Sequence, residues 1–244
     1  MNFNNESFNF QQGNSTSTVV VKSFMSNVFS FMALGLGISG LIAYLFGTDA
    51  SLMSLLIQQS EFGYKMTGFG WIATFSPLVL VFVISAAFER LSYGMLTLIF
   101  GLFSVMMGMS MSSIFITYTQ SSIVSTFLIA AGMFGVMAIV GFTTKTDLTK
   151  FGSILMMALF GIIIATLVNF FAHSSTLYYL ISFGGVIIFT GLTAYDVQKL
   201  KRIGEGSMYP GAQMNKLVIL GALNLYLDFI NLFLFLLRFM GNRK

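Results

Sequence analysis

Seven apolar runs dominate this chain, over residues 24–46, 71–88, 94–116, 123–142, 151–171, 177–195 and 217–240. A helix needs roughly 17 to 25 such residues to cross the hydrocarbon of a bilayer, and every run falls within that window. No water reaches the middle of a bilayer, so each segment must satisfy its own backbone donors and acceptors, which a helix does and an open strand does not. The ten-residue alternation of a barrel strand is missing. The expected fold class is therefore an all-α membrane protein with seven transmembrane helices.

Composition narrows the function. Only 8% of the 244 residues are charged and 56% are hydrophobic, whereas a soluble domain carries about a quarter of its residues charged. With no cysteine, disulfides, thiolate metal sites and cysteine nucleophiles are excluded. The single histidine, His173, lies beyond the fifth run, so an intramembrane serine protease would lack its base and a zinc hydrolase its ligands. No lysine in the seventh run is available to carry retinal. No enzyme is expected. A net charge of +4 is the modest Lys/Arg excess of cytoplasmic loops and carries no argument for nucleic acid.

Residues 1–22, rich in Asn, Ser, Gln and Phe, lack the basic start, short apolar core and cleavage site of a signal peptide. They read as a polar, disordered cytoplasmic tail ahead of a single membrane domain over 23–244. With seven spans, the side of the amino terminus collects Lys22, Arg90, Lys145, Lys150, Lys199, Lys201, Arg202 and Lys216, eight in all. The other side holds Lys65, Arg238, Arg243 and Lys244, and eight against four places the amino terminus in the cytoplasm. The two longer connections are 47–70, with an apolar stretch over 52–57 expected along the membrane interface, and 196–216. Gly35, Gly37 and Gly40 match the dinucleotide fingerprint, but inside a span with no strand before it they read as small residues for helix packing, as do Gly184 and Gly185.

Asp228 stands out because it lies at the middle of the seventh run. An aspartate at that depth costs about 2.5 to 3.5 kcal/mol on insertion scales, so such residues face a bundle interior or a water-filled path. Asn224, Asp228 and Asn231 follow i, i+4, i+3 spacing and share one helix face, with Arg238 two turns further along it. The bland alternative is a protonated acid making one interhelical hydrogen bond. Asp196, just after the sixth run, and Arg90, just after the second, are the charges placed to meet it. Should Asp196 and Asp228 approach in a low dielectric, they cannot both ionise cheaply and would hold one proton between them, which makes a pH switch. Arg90 would compete for a carboxylate once the pair separates.

Two segments carry a resemblance. Residues 191–200, Gly-Leu-Thr-Ala-Tyr-Asp-Val-Gln-Lys-Leu, and residues 222–233, Ala-Leu-Asn-Leu-Tyr-Leu-Asp-Phe-Ile-Asn-Leu-Phe, continued by Leu236, Leu237 and Arg238, resemble the sixth- and seventh-helix signatures of the Bax inhibitor-1 family, also called the transmembrane Bax inhibitor motif family. The resemblance implies a seven-helix bundle with the last helix central, enclosed by the other six. It also implies a pH-sensitive calcium leak in a bacterial inner membrane, with Asp196 and Asp228 as the paired acids and Arg90 as the arginine that exchanges with them.

Under that reading calcium is a permeant ion and no cofactor is bound tightly. Asp196 and Asp228 would touch calcium weakly and transiently, with Asn224 and Asn231 lining the polar path. The expected partners are membrane lipids, calcium and protons. Two other classes of function use the same features: a proton-coupled cation exchanger with the carboxylates as relay, and a non-conducting stress-response scaffold with the tail as contact surface.

Overall fold

The computed structural model describes residues 4–60, 63–206 and 211–244, with side chains from Val19 onward. Among the described residues the helices are α1 (Asn4–Thr48), α2 (Ala50–Leu56), α3 (Gly68–Ala86), α4 (Tyr93–Met111), α5 (Ile114–Thr117), α6 (Gln120–Thr143), α7 (Thr149–Ala172), α8 (Ser175–Glu205) and α9 (Gly211–Met240). Seven segments are long and apolar enough to cross a bilayer, one for each of the seven runs: α1 from Val19, α3, α4 with α5, α6, α7, α8 and α9. Helical backbone begins at Asn4, within the segment 1–22 expected as a disordered tail. Residues 1–3, and the side chains through residue 18, lie outside the described residues.

The helix starts are written in short polar side chains. The hydroxyls of Thr67, Ser92, Thr119 and Ser174 each accept a backbone N–H three residues on, opening α3, α4, α6 and α8. Inside α3, Pro77 has no N–H for the carbonyl of Ala73, and the Ser76 hydroxyl reaches that carbonyl at 3.5 Å.

Two connections differ from expectation. The stretch over 52–57 forms the end of α2 and enters strand β1 (Ile57–Ser60), which pairs antiparallel with β2 (Gly63–Met66). This small strand pair lies outside the apolar runs, where the backbone is free to pair as strand, and Gly63 at the start of β2 takes a positive φ of 112°, which glycine adopts without a Cβ penalty. The larger correction concerns 196–216. Helix α8 runs ten residues past Tyr195, to Glu205, so Asp196 lies within a helix and not after one. Val197, Leu200 and Gly204 are buried at helical spacing while Lys199 is exposed, which keeps this extension packed after the continuous apolar run has ended.

Helix α9 is the most deeply placed span, with 67% of its apolar stretch buried, and it packs against α1, α4, α6 and α8. Helix α7 is the opposite case. None of its apolar stretch is buried, and its neighbour is α8. Since lipid is as apolar as leucine, the helices adhere through close packing and buried polar contacts. Gly35 of α1 shows the packing, since a Cβ there would meet the Phe100 ring of α4 at 2.8 Å. Gly185 of α8 likewise lies under the Phe235 ring of α9. The polar contact is Ser39 of α1, whose hydroxyl donates to the Ser104 carbonyl at 2.6 Å and lies 2.7 Å from the fully buried Tyr226 hydroxyl of α9.

Two clasps hold the ends. Helix α7 has no side-chain cap of its own. The buried amide of Gln198 on α8 instead accepts from Leu148 N at 2.9 Å and donates to the Thr146 carbonyl at 2.8 Å. At the far end, residues 242–244 pair with the link between α5 and α6. Thr119 N donates to Asn242 O, Lys244 N donates to Thr117 O, and Asn242 N donates to the Ser122 hydroxyl at 2.9 Å.

Candidate functional site

A cavity of about 720 Å³ lies between α7, α8 and α9. The polar stripe of α9 supplies one wall, with Asn224, Asp228, Asn231 and Arg238 in order along the helix. Helix α8 contributes Asp196 and Lys199, and α7 contributes an apolar wall that includes Leu159 and Ile162. The i, i+4 and i+3 spacing thus places Asn224, Asp228 and Asn231 on one surface, as helical periodicity requires. Arg90 is elsewhere. It stands exposed in the turn between α3 and α4, and it does not line the cavity.

Asp228 is 6% exposed, and its Oδ2 is a buried polar atom with no hydrogen-bond partner among the described residues. Its carboxyl group and that of half-buried Asp196 are side-chain neighbours within hydrogen-bonding reach. A hydrogen bond between two carboxyl groups requires a proton on one of them, because ionised carboxylates only accept. Two carboxylates in contact also repel, and in a protein interior with an effective dielectric near 20 a pair about 4 Å apart would do so by about 4 kcal/mol. A single proton between the two acids removes both problems.

The surrounding groups are arranged around that pair. Asn231 donates to the Leu227 carbonyl of its own helix at 2.8 Å, which leaves its side-chain oxygen uncommitted. Lys199, three residues after Asp196 on the same helix, brings the nearest positive charge to that carboxyl. From the sequence alone Lys199 is a charge on the amino-terminal side, because the apolar run ends at Tyr195 while the helix continues to Glu205. Extending the helix by one turn would have put the lysine on the face of Asp196. The contribution of α7 left no signal, since a helix that is apolar on every face does not mark the side that lines a cavity. Among the described residues no three His, Asp or Glu side chains are grouped to hold a metal. Two carboxylates and two amides make an incomplete oxygen shell for a divalent cation.

The link between α6 and α7 carries a third acid of note, outside the membrane spans. Asp147 accepts from the Thr149 hydroxyl, the Thr149 N–H and the Arg202 guanidinium, and these contacts hold its carboxyl at about 2. It ties the start of α7 to α8 beside the Gln198 clasp.

Comparison with known proteins places this arrangement. Inner membrane protein YbhL of Escherichia coli K12 is 46% identical over 225 residues, covering 92% of this chain and 93% of that protein. An uncharacterized protein of Borreliella burgdorferi is 44% identical over 226 residues, covering 93% of this chain and 94% of its own length. One from Rickettsia prowazekii is 39% identical over 228 residues, covering 92% and 91%. The family described as inhibitor of apoptosis-promoting Bax1 matches residues 21–244, almost the whole of the seven-span bundle. The resemblance read from the sixth and seventh helices therefore extends over the full membrane domain, and the chain belongs to the Bax inhibitor-1 family.

Proposed function

We propose that this protein is a pH-sensitive calcium leak channel of the bacterial inner membrane, gated by the proton that Asp196 and Asp228 share. The observation that carries the reading is the buried carboxyl of Asp228, beside that of Asp196 on the polar side of the cavity, with its Oδ2 unpartnered among the described residues. Family membership and the name of the Escherichia coli relative support the membrane and its type.

In this mechanism the shared proton keeps the two acids together and the cavity closed. Loss of that proton leaves two anions in contact, and their repulsion favours separation of α8 from α9 along the polar stripe. The separated carboxylates, with the oxygens of Asn224 and Asn231, then offer a permeating calcium ion a loose shell. Calcium takes six to eight oxygens in a tight site, so a partial shell suits passage over storage. Lys199 is the cation beside the closed pair. Arg90 lies off the cavity, and its exchange with the pair belongs to the open arrangement. The chain in this account conducts an ion and performs no catalysis.

The test is calcium entry into dye-loaded liposomes containing the purified protein, across the range from about pH 6 to about pH 8. Flux that changes with pH in the parent, and loses that dependence in Asp228→Asn, is the expected result. A flux indifferent to pH in both proteins, or the same dependence in both, overturns the proposal. Saturation together with dependence on an imposed proton gradient would instead identify an exchanger.

A further inference from the structure

A second cavity, of about 600 Å³, opens where α7 ends, α8 begins and α9 ends. Its polar lining includes the guanidinium groups of Arg238 and Arg243, the imidazole of His173, the amide of Asn169 and the hydroxyls of Ser175 and Tyr178. No Asp or Glu lines it. The ion pairs among the described residues, Lys201 with Glu205 and Arg202 with Asp147, lie at the opposite end of α7 and α8. Asp228 is ten residues from Arg238 on α9, about 15 Å along a helix axis, and does not neutralise it.

The donors here are held in place. Arg243 donates to the Tyr178 hydroxyl at 2.8 Å and stacks its guanidinium 5.2 Å from the centre of the same ring. Arg238 rests 5.6 Å over the Phe235 ring. Asn169 uses its side-chain oxygen to accept from Ser174 N at 3.0 Å, so its NH2 group is the part left for a ligand. Two fixed cations and an amide donor with no carboxylate among them make an anion site. The depth is also marked. Phe170, Phe171, Tyr179 and Phe239 are all exposed around the cavity, and exposed aromatics at the end of a membrane span sit at the level of the lipid headgroups. Arg238 belongs to this cavity and to the apolar-walled cleft between α7 and α9 as well, so a headgroup bound here has a path for an acyl chain beside it.

We propose that this cavity binds an anionic phospholipid of the surrounding leaflet, with its phosphate on Arg238 and Arg243. The test uses the full-length protein in a neutral detergent, offered equal amounts of phosphatidylglycerol and phosphatidylcholine, with retained lipid counted by native mass spectrometry. Phosphatidylglycerol should be retained over phosphatidylcholine by roughly tenfold, and the Arg238→Gln, Arg243→Gln protein should lose roughly tenfold of that retention. Replacement of both residues by lysine should restore part of it, and inorganic phosphate should not displace the lipid. Equal retention of the two lipids, or unchanged retention in the glutamine variant, overturns the proposal. Full displacement by inorganic phosphate also overturns it, by showing a site for a soluble anion. Should the double variant fail to fold, Arg238→Gln alone, which leaves the Arg243 contacts with Tyr178 intact, decides the question together with the lipid preference of the parent.

Discussion

The carboxyl groups of Asp196 and Asp228 are neighbours across the α8–α9 interface, and Oδ2 of Asp228 has no hydrogen-bond partner among the described residues. A proton shared there has a spectroscopic consequence separate from transport. Infrared difference spectra near neutral pH should contain a protonated carboxyl band, which should vanish in Asp228→Asn and shift in frequency in Asp196→Asn, where the hydrogen-bonding neighbour of that carboxyl changes. A parent spectrum with ionised carboxylates only would remove the shared proton from the account.

Gly35 and Gly37 lie in the same span but face different surroundings. A Cβ at Gly35 would meet Phe100 at 2.8 Å and Ser104 at 3.0 Å, whereas nothing lies within 4 Å of one at Gly37. Gly35→Ala should therefore destabilise the bundle by about 1–3 kcal/mol through overpacking. Gly37→Ala should be neutral, or stabilising by up to about 1 kcal/mol as helix propensity improves. Thermal unfolding in detergent checks both, and equal effects at the two sites would contradict the packing described.

Gln198 is buried and serves both Leu148 N and the Thr146 carbonyl. Gln198→Ala strips both of their partner; Thr146 is exposed and Leu148 half-buried, so water takes up the freed groups and the cost is that of the lost hydrogen bonds, about 1 kcal/mol each. Limited proteolysis should then cut faster between α6 and α7 than in the parent. Unchanged cleavage there would mean that the start of α7 is held by something else.

Asp147 gives a pH dependence whose sign is set by its contacts. Its carboxyl is lowered from 3.8 to about 2, by the Thr149 hydroxyl first, then the Thr149 N–H and Arg202. A lowered value stabilises the folded chain above the unfolded pKa, and that contribution is lost as pH falls through the folded one. Asp147→Asn should lower the melting temperature slightly at neutral pH, and the gap should close between about pH 4 and about pH 2. A gap that persists or widens on acidification would assign the effect to something other than this carboxyl.

The bundle was readable because a bilayer dictates segment length, and each of the seven runs became a helical span, the third as α4 with α5. Asp228 was readable for the same reason, since a charge at mid-span is conspicuous. Its pairing with Asp196 was not encoded in any local spacing, because the two acids meet through tertiary packing of α8 on α9. That contact entered the sequence reading only as a possibility and then through a resemblance. Lys199 was not legible because the apolar run ends before the helix does, and α8 continues on its buried Val197 and Leu200. The pairing of β1 with β2 left no signal because the strands are four residues each and lie outside the segments that lipid constrains.

The pairing of residues 242–244 with the α5–α6 link has a mechanical meaning. Sliding α9 along its own axis would break every one of those bonds at once, whereas tilting it about that end would spare them. The helix that bears Asp228 thus has a fulcrum at its carboxyl end, and a tilt about that point displaces each residue of α9 in proportion to its distance from it.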